Sequence, residues 1–288
     1  MITFDEWAAQ ATMLPVGDAS VALYDLGPRD APVLTYCHGY PSSTHDVAEV
    51  FGLLSDWRLV AVDFIGFGAS DKPRGVPLTI HRQADAVEAA WRRLGIASTV
   101  LQCHDYGVSV GQELLARRAE GALDVDVTAV VWHNGGLYPD LHRQTVGQQL
   151  LRDPEHVAEV PAAMTEELFS GRIALAGGTL VPMTDEVVHE MWLGMARGDG
   201  TSIAHELLHY IDDRRRHAER WRAALEGSGL PQTFVWGDLD PVSGAHVMER
   251  LRERMTGATL VPLADVGHWP TLEAPDVVAE AVESHRPR

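Results

Sequence analysis

Short apolar segments alternate with amphipathic stretches along most of the chain, and this alternation predicts an α/β fold. Residues 20–26 alternate apolar and polar side chains, which is typical of an antiparallel edge strand. Buried strands are predicted at residues 33–37, 58–64, 99–103, 128–133, 232–236 and 258–263. Amphipathic helices are predicted at residues 78–94, 108–119 and 243–255 and at the C-terminus. Strands that alternate with helices indicate a mostly parallel sheet.

The pattern changes between about residues 137 and 221. No clear strand appears in this region, and prolines and glycines interrupt its helical stretches. A helical insertion at this point is expected to cover the carboxyl ends of the strands, where open α/β sheets bind their ligands. We therefore predict a core domain of residues 1–136 and 222–288 and a helical cap domain of residues 137–221.

Residues 99–111 resemble a strand, a sharp turn and the start of a helix, and they offer two candidate nucleophiles. They contain a G-x-S-x-G elbow centred on Ser109 and a segment of the same shape centred on Asp105. An elbow nucleophile follows a buried strand directly, and Asp105 stands at that place. With Ser109 as the nucleophile, His104 and Asp105 would lie in the buried strand, which is costly for charges without partners. The register therefore favours Asp105.

Two further groups follow later strands. Asp240 comes after strand 232–236 and His268 after strand 258–263, which completes the chain order nucleophile, acid, histidine. A carboxylate nucleophile would form an ester with a carbon atom of the substrate. His268 would deprotonate the water that hydrolyses this ester, and Asp240 would orient and stabilise the imidazolium. Asp238 is the nearby alternative acid.

The turn at residues 38–41 follows the strand after which one side of an oxyanion hole is expected. Backbone N–H groups of Tyr40 and Tyr106 would then form the hole, one from each loop. A plain β-turn around Pro41 is the alternative interpretation.

Composition narrows the classes of function. The formal net charge of −18 argues against binding to nucleic acid phosphates or anionic membranes. With 2 cysteines, no disulfide framework is expected. No N-terminal signal pattern and no bilayer-spanning apolar run appear, so the cytoplasm is the expected location.

Residues 205–209 match the helical H-E-x-x-H pattern of zinc metalloproteases. His205 and His209 would share one face of a helix and could bind a metal ion. No third ligand is indicated nearby, and so short a match arises easily by chance in a chain with 14 histidines. We therefore expect an activity that needs no metal and no other cofactor.

Several motifs together resemble one superfamily. The elbow 103–107, the His-Gly-Tyr-Pro turn 38–41 and the loop 66–73 are similar to the α/β-hydrolases that include epoxide hydrolases and haloalkane dehalogenases. A closer likeness, to the group formed by the mesoderm-specific transcript protein and its bacterial relatives, rests on residues 134–136, Pro139, His142, Arg143, Tyr210, Arg214, Trp221 and 237–241. The resemblance extends from about residue 30 to the C-terminus. It implies an α/β-hydrolase fold with a mostly parallel eight-stranded sheet, an inserted helical cap and an Asp–His–Asp triad.

The residues around the nucleophile depart from both named enzyme classes. Haloalkane dehalogenases typically hold the halide with a Trp after the nucleophile, where this chain has Tyr106, and often with an Asn, where it has Tyr40. Epoxide hydrolases use two cap tyrosines to protonate the epoxide oxygen. Tyr210 suits one of these roles, and the candidates to replace the second tyrosine are His189, Trp192 and His209.

The expected function is hydrolysis of a small, largely apolar epoxide to a diol through an ester on Asp105. The alternatives are haloalkane dehalogenation, a serine esterase that uses Ser109, and a binding protein with a vestigial site. The side chains expected to contact the substrate are Tyr210, Trp192, His38 and Asn134.

Overall fold

The computed structural model describes residues 2–153, 155, 164–181 and 183–287. Within these residues, eight strands form one sheet in the order β1-β2-β4-β3-β5-β6-β7-β8. The strands are β1 Thr12–Val16, β2 Ala19–Leu26, β3 Val33–Cys37, β4 Arg58–Val62, β5 Ser98–Cys103, β6 Asp126–Trp132, β7 Gln232–Gly237 and β8 Thr259–Leu263. Strand β2 pairs antiparallel with both of its neighbours, and all other pairs are parallel. The predicted mostly parallel eight-stranded sheet is confirmed.

The prediction of the edge strand is wrong. Strand β2 lies between β1 and β4, and β1 forms the edge. The sequence pattern missed β1 because it contains Pro15, which cannot donate to a ladder, and Met13, whose side chain is exposed. Both features suit an edge strand, which needs hydrogen bonds on one side only.

Helices connect the strands and pack on the sheet. Before β6 they are α1 Phe4–Ala8, α2 Ala48–Gly52, α3 Ile80–Leu94 and α4 Tyr106–Ala119. In the described residues between β6 and β7 they are α5 Val146–Arg152, α6 Glu166–Ala176, α7 Asp185–Ala196, α8 Ala204–Leu207, α9 Tyr210–Arg216 and α10 Ala218–Glu226. After β7 they are α11 Ala245–Arg254, α12 Pro270–Glu273 and α13 Pro275–Glu283. Short 3₁₀ turns occupy Thr44–Val47, Pro139–Leu141 and Arg197–Ile203.

Successive strand residues enter different hydrophobic clusters, because side chains alternate between the faces of a sheet. In β5, Val100 belongs to one cluster and Leu101 to the other. Helix α3 illustrates how local sequence fixes an element: the Thr79 side chain accepts the N–H of Arg82 at its start, and Gly95 ends it in the left-handed conformation at φ 65°.

Helix α10 lies across the predicted boundary between cap and core. It packs on α4, and the Trp221 indole N–H donates to Glu113 Oε2 at 2.8 Å. A division after residue 221 therefore falls within a helix, and the division into two domains stays a prediction. No helix in the described ranges is long and apolar enough to cross a bilayer.

Candidate active site

The sharp turn between β5 and α4 is centred on Asp105. Its backbone has φ 45° and ψ −102°, which a non-glycine residue rarely adopts and which is often found at functional sites. Gly107 permits the turn, because a Cβ there would lie 2.1 Å from the carbonyl oxygen of Cys37. The structure therefore places Asp105 at the strained position and Ser109 in the first turn of α4.

The Ser109 hydroxyl is buried and accepts a hydrogen bond from Arg214 Nε at 2.6 Å. A serine nucleophile needs a base to take its proton. Here the hydroxyl oxygen accepts a hydrogen bond from a guanidinium, which can only donate and therefore cannot act as that base. This geometry is that of a structural serine.

Three buried groups meet at the carboxyl ends of β5, β7 and β8. His268 Nδ1 donates to Asp240 Oδ2 at 2.8 Å, and its Nε2 lies 3.5 Å from Asp105 Oδ2. Asp240 also accepts hydrogen bonds from the Val242 amide at 2.8 Å and the Ser243 hydroxyl at 2.6 Å. These contacts fix the acid. Helix α11 begins at Ala245 rather than at the predicted Ser243.

The charges of this triad shift the titration of each member. Burial alone would lower the pKa of His268, but the carboxylates of Asp240 and Asp105 raise it to about 10. Burial alone would raise the pKa of Asp105, but the hydrogen bond and charge of His268 hold it well below its ordinary value. At neutral pH the nucleophile is therefore an anion beside an imidazolium.

The two oxygens of Asp105 have different partners. The Tyr40 amide donates to Oδ1 at 2.8 Å, while Oδ2 faces His268. Tyr106, the other residue predicted for the oxyanion hole, begins α4 next to Asp105, and its ring packs against the Phe67 ring with centroids 5.1 Å apart. The described contacts thus supply the Tyr40 donor, and the role of the Tyr106 amide stays a prediction.

A cavity of about 100 Å³ opens onto Asp105 and His268. Its wall is mainly apolar, with polar groups from Tyr40, Thr145, Gln148 and Arg172. The apolar side chains include Leu151, Met164, Phe169, Ile173, Met195, Val242 and Trp269.

The four side chains predicted to contact substrate lie outside the described wall of this cavity. Tyr210 is buried behind it, where its hydroxyl accepts a hydrogen bond from Gln148 Nε2 at 3.4 Å. Trp192 packs on Phe169 with ring centroids 5.5 Å apart.

His38 and Asn134 fix loops instead. His38 Nδ1 donates to the Gly39 carbonyl at 2.8 Å, and its Nε2 accepts the Phe64 amide at 2.9 Å. Asn134 Nδ2 donates to Asp240 Oδ2 at 3.1 Å and to the Gly237 carbonyl at 2.8 Å. The two residues therefore hold the Tyr40 loop and the acid loop in place.

The histidines named as substitutes for a second tyrosine are exposed. His189 Nδ1 lies 2.6 Å from Glu166 Oε1 on the surface, and the His209 side chain is 67% exposed. The H-E-x-x-H segment is not one helix either, since α8 ends at Leu207. In the described part of the chain, no group of three or more His, Cys, Asp or Glu residues could hold a metal ion. Independence from metal stays a prediction.

Arg214 is the site residue whose role the sequence pattern did not indicate. It is 1% exposed, and its Nη2 donates to the backbone oxygen of Asp105 at 2.8 Å. In the sequence it stands in the charged run 212–216, which resembles a solvated helix face. Apart from the place of Arg214 among the residues that carry the resemblance, nothing in that run distinguishes it from the two arginines that follow.

The fold and this arrangement define an α/β-hydrolase. A model of the alpha/beta hydrolase fold matches residues 32–275, and the chain belongs to this family. The chain is 35% identical over 280 residues to the protein named "Putative hydrolase LipZ" of Mycobacterium tuberculosis, covering 97% of this chain and 96% of that protein. It is 34% identical over 251 residues to the mesoderm-specific transcript homolog protein of Bos taurus, covering 84% and 75%.

Among solved structures, a haloalkane dehalogenase DbeA-M1 loop variant from Bradyrhizobium elkanii aligns with a TM-score of 0.78 at 20% identity, covering 95% of this chain and 94% of that chain. A likeness at this identity concerns the fold. The resemblance inferred from the sequence motifs is confirmed, both for the superfamily and for the mesoderm-specific transcript group.

Proposed function

We propose that this protein is a hydrolase that attacks a carbon atom of its substrate with the Asp105 carboxylate and then hydrolyses the resulting ester. The observation that carries the proposal is the surroundings of Asp105. It occupies the strained turn, one of its oxygens accepts the Tyr40 amide, and the other lies 3.5 Å from a histidine held by Asp240.

The two half-reactions use the two oxygens differently. In the first, Asp105 Oδ2 bonds to the substrate carbon and the bond from that carbon to the leaving group breaks. In the second, neutral His268 takes a proton from water while the water oxygen bonds to the Asp105 carboxyl carbon. The negative charge then develops on Oδ1, where the Tyr40 amide already donates. Collapse of this adduct breaks the bond between the Asp105 carboxyl carbon and the substrate-bound oxygen, which leaves as the alcohol with the proton from His268. The proton of the new carboxyl group returns to His268 and restores the carboxylate.

The proposed leaving group is an epoxide oxygen. Ring opening produces an alkoxide, which needs a proton, and the Tyr40 phenol lines the cavity. Burial raises the pKa of the Tyr40 phenol well above its ordinary value, so the phenol carries its proton at neutral pH. No hydrogen bond joins this hydroxyl to another group among the described residues, which leaves it available to substrate.

Haloalkane dehalogenation is the second candidate, since the aligned solved structure bears that name. A departing halide needs hydrogen-bond donors but no proton, and the Trp269 indole N–H, which has no partner among the described residues, lies in the cavity wall. We place the epoxide first because its alkoxide needs the proton that the Tyr40 phenol of the same wall can supply.

The cavity wall supports a small, largely apolar substrate. Leu151 of α5, Phe169 of α6 and Met195 of α7 contribute apolar surface above Asp105. We propose on this ground that the helices between β6 and β7 act as a cap over the nucleophile.

The test is a turnover assay of the purified protein with terminal epoxides, bromoalkanes of equal chain length and p-nitrophenyl esters. Diol formation from epoxides, absent in Asp105→Ala, is the expected result. Bromide release without diol formation would favour the second candidate. Ester cleavage that survives Asp105→Ala would contradict both.

A further inference from the structure

Arg214 connects helix α9 to the nucleophile elbow. Besides its bond to the Asp105 carbonyl, its Nε donates to Ser109 Oγ at 2.6 Å, and its guanidinium carbon lies 4.4 Å from the centre of the Tyr210 ring. A Cβ at position 136 would lie 2.2 Å from Arg214 Nη1, so Gly136 leaves the space that the guanidinium fills.

The charge of Arg214 has no carboxylate within salt-bridge distance among the described residues. A buried charge is costly unless other charges compensate it. One compensating charge is the Asp105 side chain, whose pKa the Arg214 charge lowers after the larger effects of burial and His268. At rest, two buried cations, Arg214 and His268, therefore face the two carboxylates of Asp105 and Asp240.

Formation of the ester moves the negative charge of Asp105 to the opened epoxide oxygen, which takes the proton of Tyr40 and leaves a phenolate. Transfer of the Nε2 proton of His268 through the cavity to this phenolate leaves Arg214 and Asp240 as the charged groups, because Arg214 cannot be deprotonated. The neutral imidazole is then the base that the attacking water requires.

We propose that Arg214 is a positioning residue for the hydrolysis step, and that its fixed charge makes His268 release its proton once Asp105 is esterified. This inference rests on the proposed function. It assigns to Arg214 an effect on the second half-reaction that its hydrogen bonds to the elbow alone would not produce.

Other charged groups also face His268. Asp240 donates no proton and stays an anion in both half-reactions, and Glu273 and Asp46 act on His268 at longer range. The ring of His104 lies 5.1 Å from that of His268, but burial lowers its pKa to about 4, so it is uncharged. These groups are unchanged in variants of Arg214.

A neighbouring ring of Arg214 is uncharged and therefore does not oppose its positive charge. Nη1 lies 3.3 Å from His142 Nδ1. Burial, followed by the Arg214 charge itself, lowers the pKa of His142 to about 4, so this ring is neutral and its nitrogen can accept.

The test replaces the ester by an uncharged side chain of the same shape and needs no substrate. The pKa of His268 is measured by NMR of its imidazole in three variants. They are Asp105→Asn alone, Asp105→Asn with Arg214→Met, and Asp105→Asn with Arg214→Lys. We expect Asp105→Asn to lower the pKa of His268 below its native value. Adding Arg214→Met should raise it by about one pH unit, the smaller end of the effect of one close charge. Adding Arg214→Lys, which keeps the charge, should leave it where Asp105→Asn alone puts it.

Identical titrations in Asp105→Asn with and without Arg214→Met would overturn the inference. So would a shift in the Arg214→Lys variant as large as that in the Arg214→Met variant, which would point to packing. If the methionine variant does not fold, Arg214→Gln serves as the neutral form. Its pKa for His268 is then compared with that in the Arg214→Lys variant. Failure of the proposed function is a separate result, because it would appear as absent turnover in the substrate assay.

Discussion

At the residue scale, the carboxylate of Asp105 and the hydroxyl of Ser109 have contrasting surroundings. The carboxylate accepts from an amide on one side and faces an imidazole on the other, while the serine hydroxyl accepts a hydrogen bond from Arg214. Sequence register alone could separate these candidates, because an aspartate in the middle of a buried strand would lack partners. The orientation of each side chain could not be predicted, since it depends on contacts more than 100 positions away along the chain, as with Arg214.

Removal of each candidate nucleophile should have opposite consequences. Asp105→Ala should abolish turnover, since no other carboxylate of the described residues lies in the strained turn beside His268. Ser109→Ala should keep most of the activity, because it removes a hydrogen bond to Arg214 but not its charge. Steady-state rates of both variants provide the measurement, and an inactive Ser109→Ala beside an active Asp105→Ala would reverse the assignment.

Tyr40 and Tyr210 differ in their access to the cavity, and this difference predicts the proton donor. From the sequence, Tyr210 was the expected donor, but the structure buries it and places Tyr40 in the wall. Tyr40→Phe should lower epoxide turnover by about 10²-fold, the lower scale of a lost general acid. The matched control is Tyr210→Phe, for which we expect a smaller loss. A larger loss in the control would restore Tyr210 as the donor.

At the element scale, the site depends on how β5, its turn and α4 join. Periodicity was sufficient to predict β5 and α4, and the small residues at positions 103 and 107 indicated the turn between them. Strand β1 was missed because a short edge strand with a proline lacks the apolar alternation of a buried one. The helices between β6 and β7 were predictable as a class, but their contacts with the cavity were not, because local sequence does not specify which helix face meets the core.

Close packing at the elbow predicts a large cost for a single added methyl group. Gly107→Ala should destabilise the protein by about 1–3 kcal/mol, because its Cβ would collide with the backbone of β3. Gly52→Ala is the matched control, since the same Cβ in α2 would meet nothing within 4 Å. Urea unfolding measures both. Equal stabilities of the two variants would contradict the packing described for the elbow.

At the scale of the whole molecule, the buried charges of the triad connect folding stability to pH. The pKa of His268 rises from an ordinary 6.5 to about 10 in the folded protein. A raised pKa means that the folded state holds the proton more tightly than the unfolded state. The resulting stabilisation is complete below pH 6.5 and is lost as the pH rises to about 10.

This linkage predicts how a histidine variant compares with the native protein. The difference in free energy of unfolding between the native protein and His268→Gln should decrease steadily from about pH 6.5 to about pH 10. Urea unfolding across this range measures the difference. A difference that stayed constant or increased would show that His268 is not held as an imidazolium in the folded state.

An ester on Asp105 can be detected through the intact mass of His268→Gln after incubation with an epoxide that the native protein hydrolyses. A carboxylate can attack without a base, whereas hydrolysis of the ester needs His268. We expect a mass increase equal to one epoxide molecule, located on Asp105 by peptide mapping and absent when Asp105→Asn is added. Rapid turnover by His268→Gln without an adduct, or an adduct located on Ser109, would contradict this expectation.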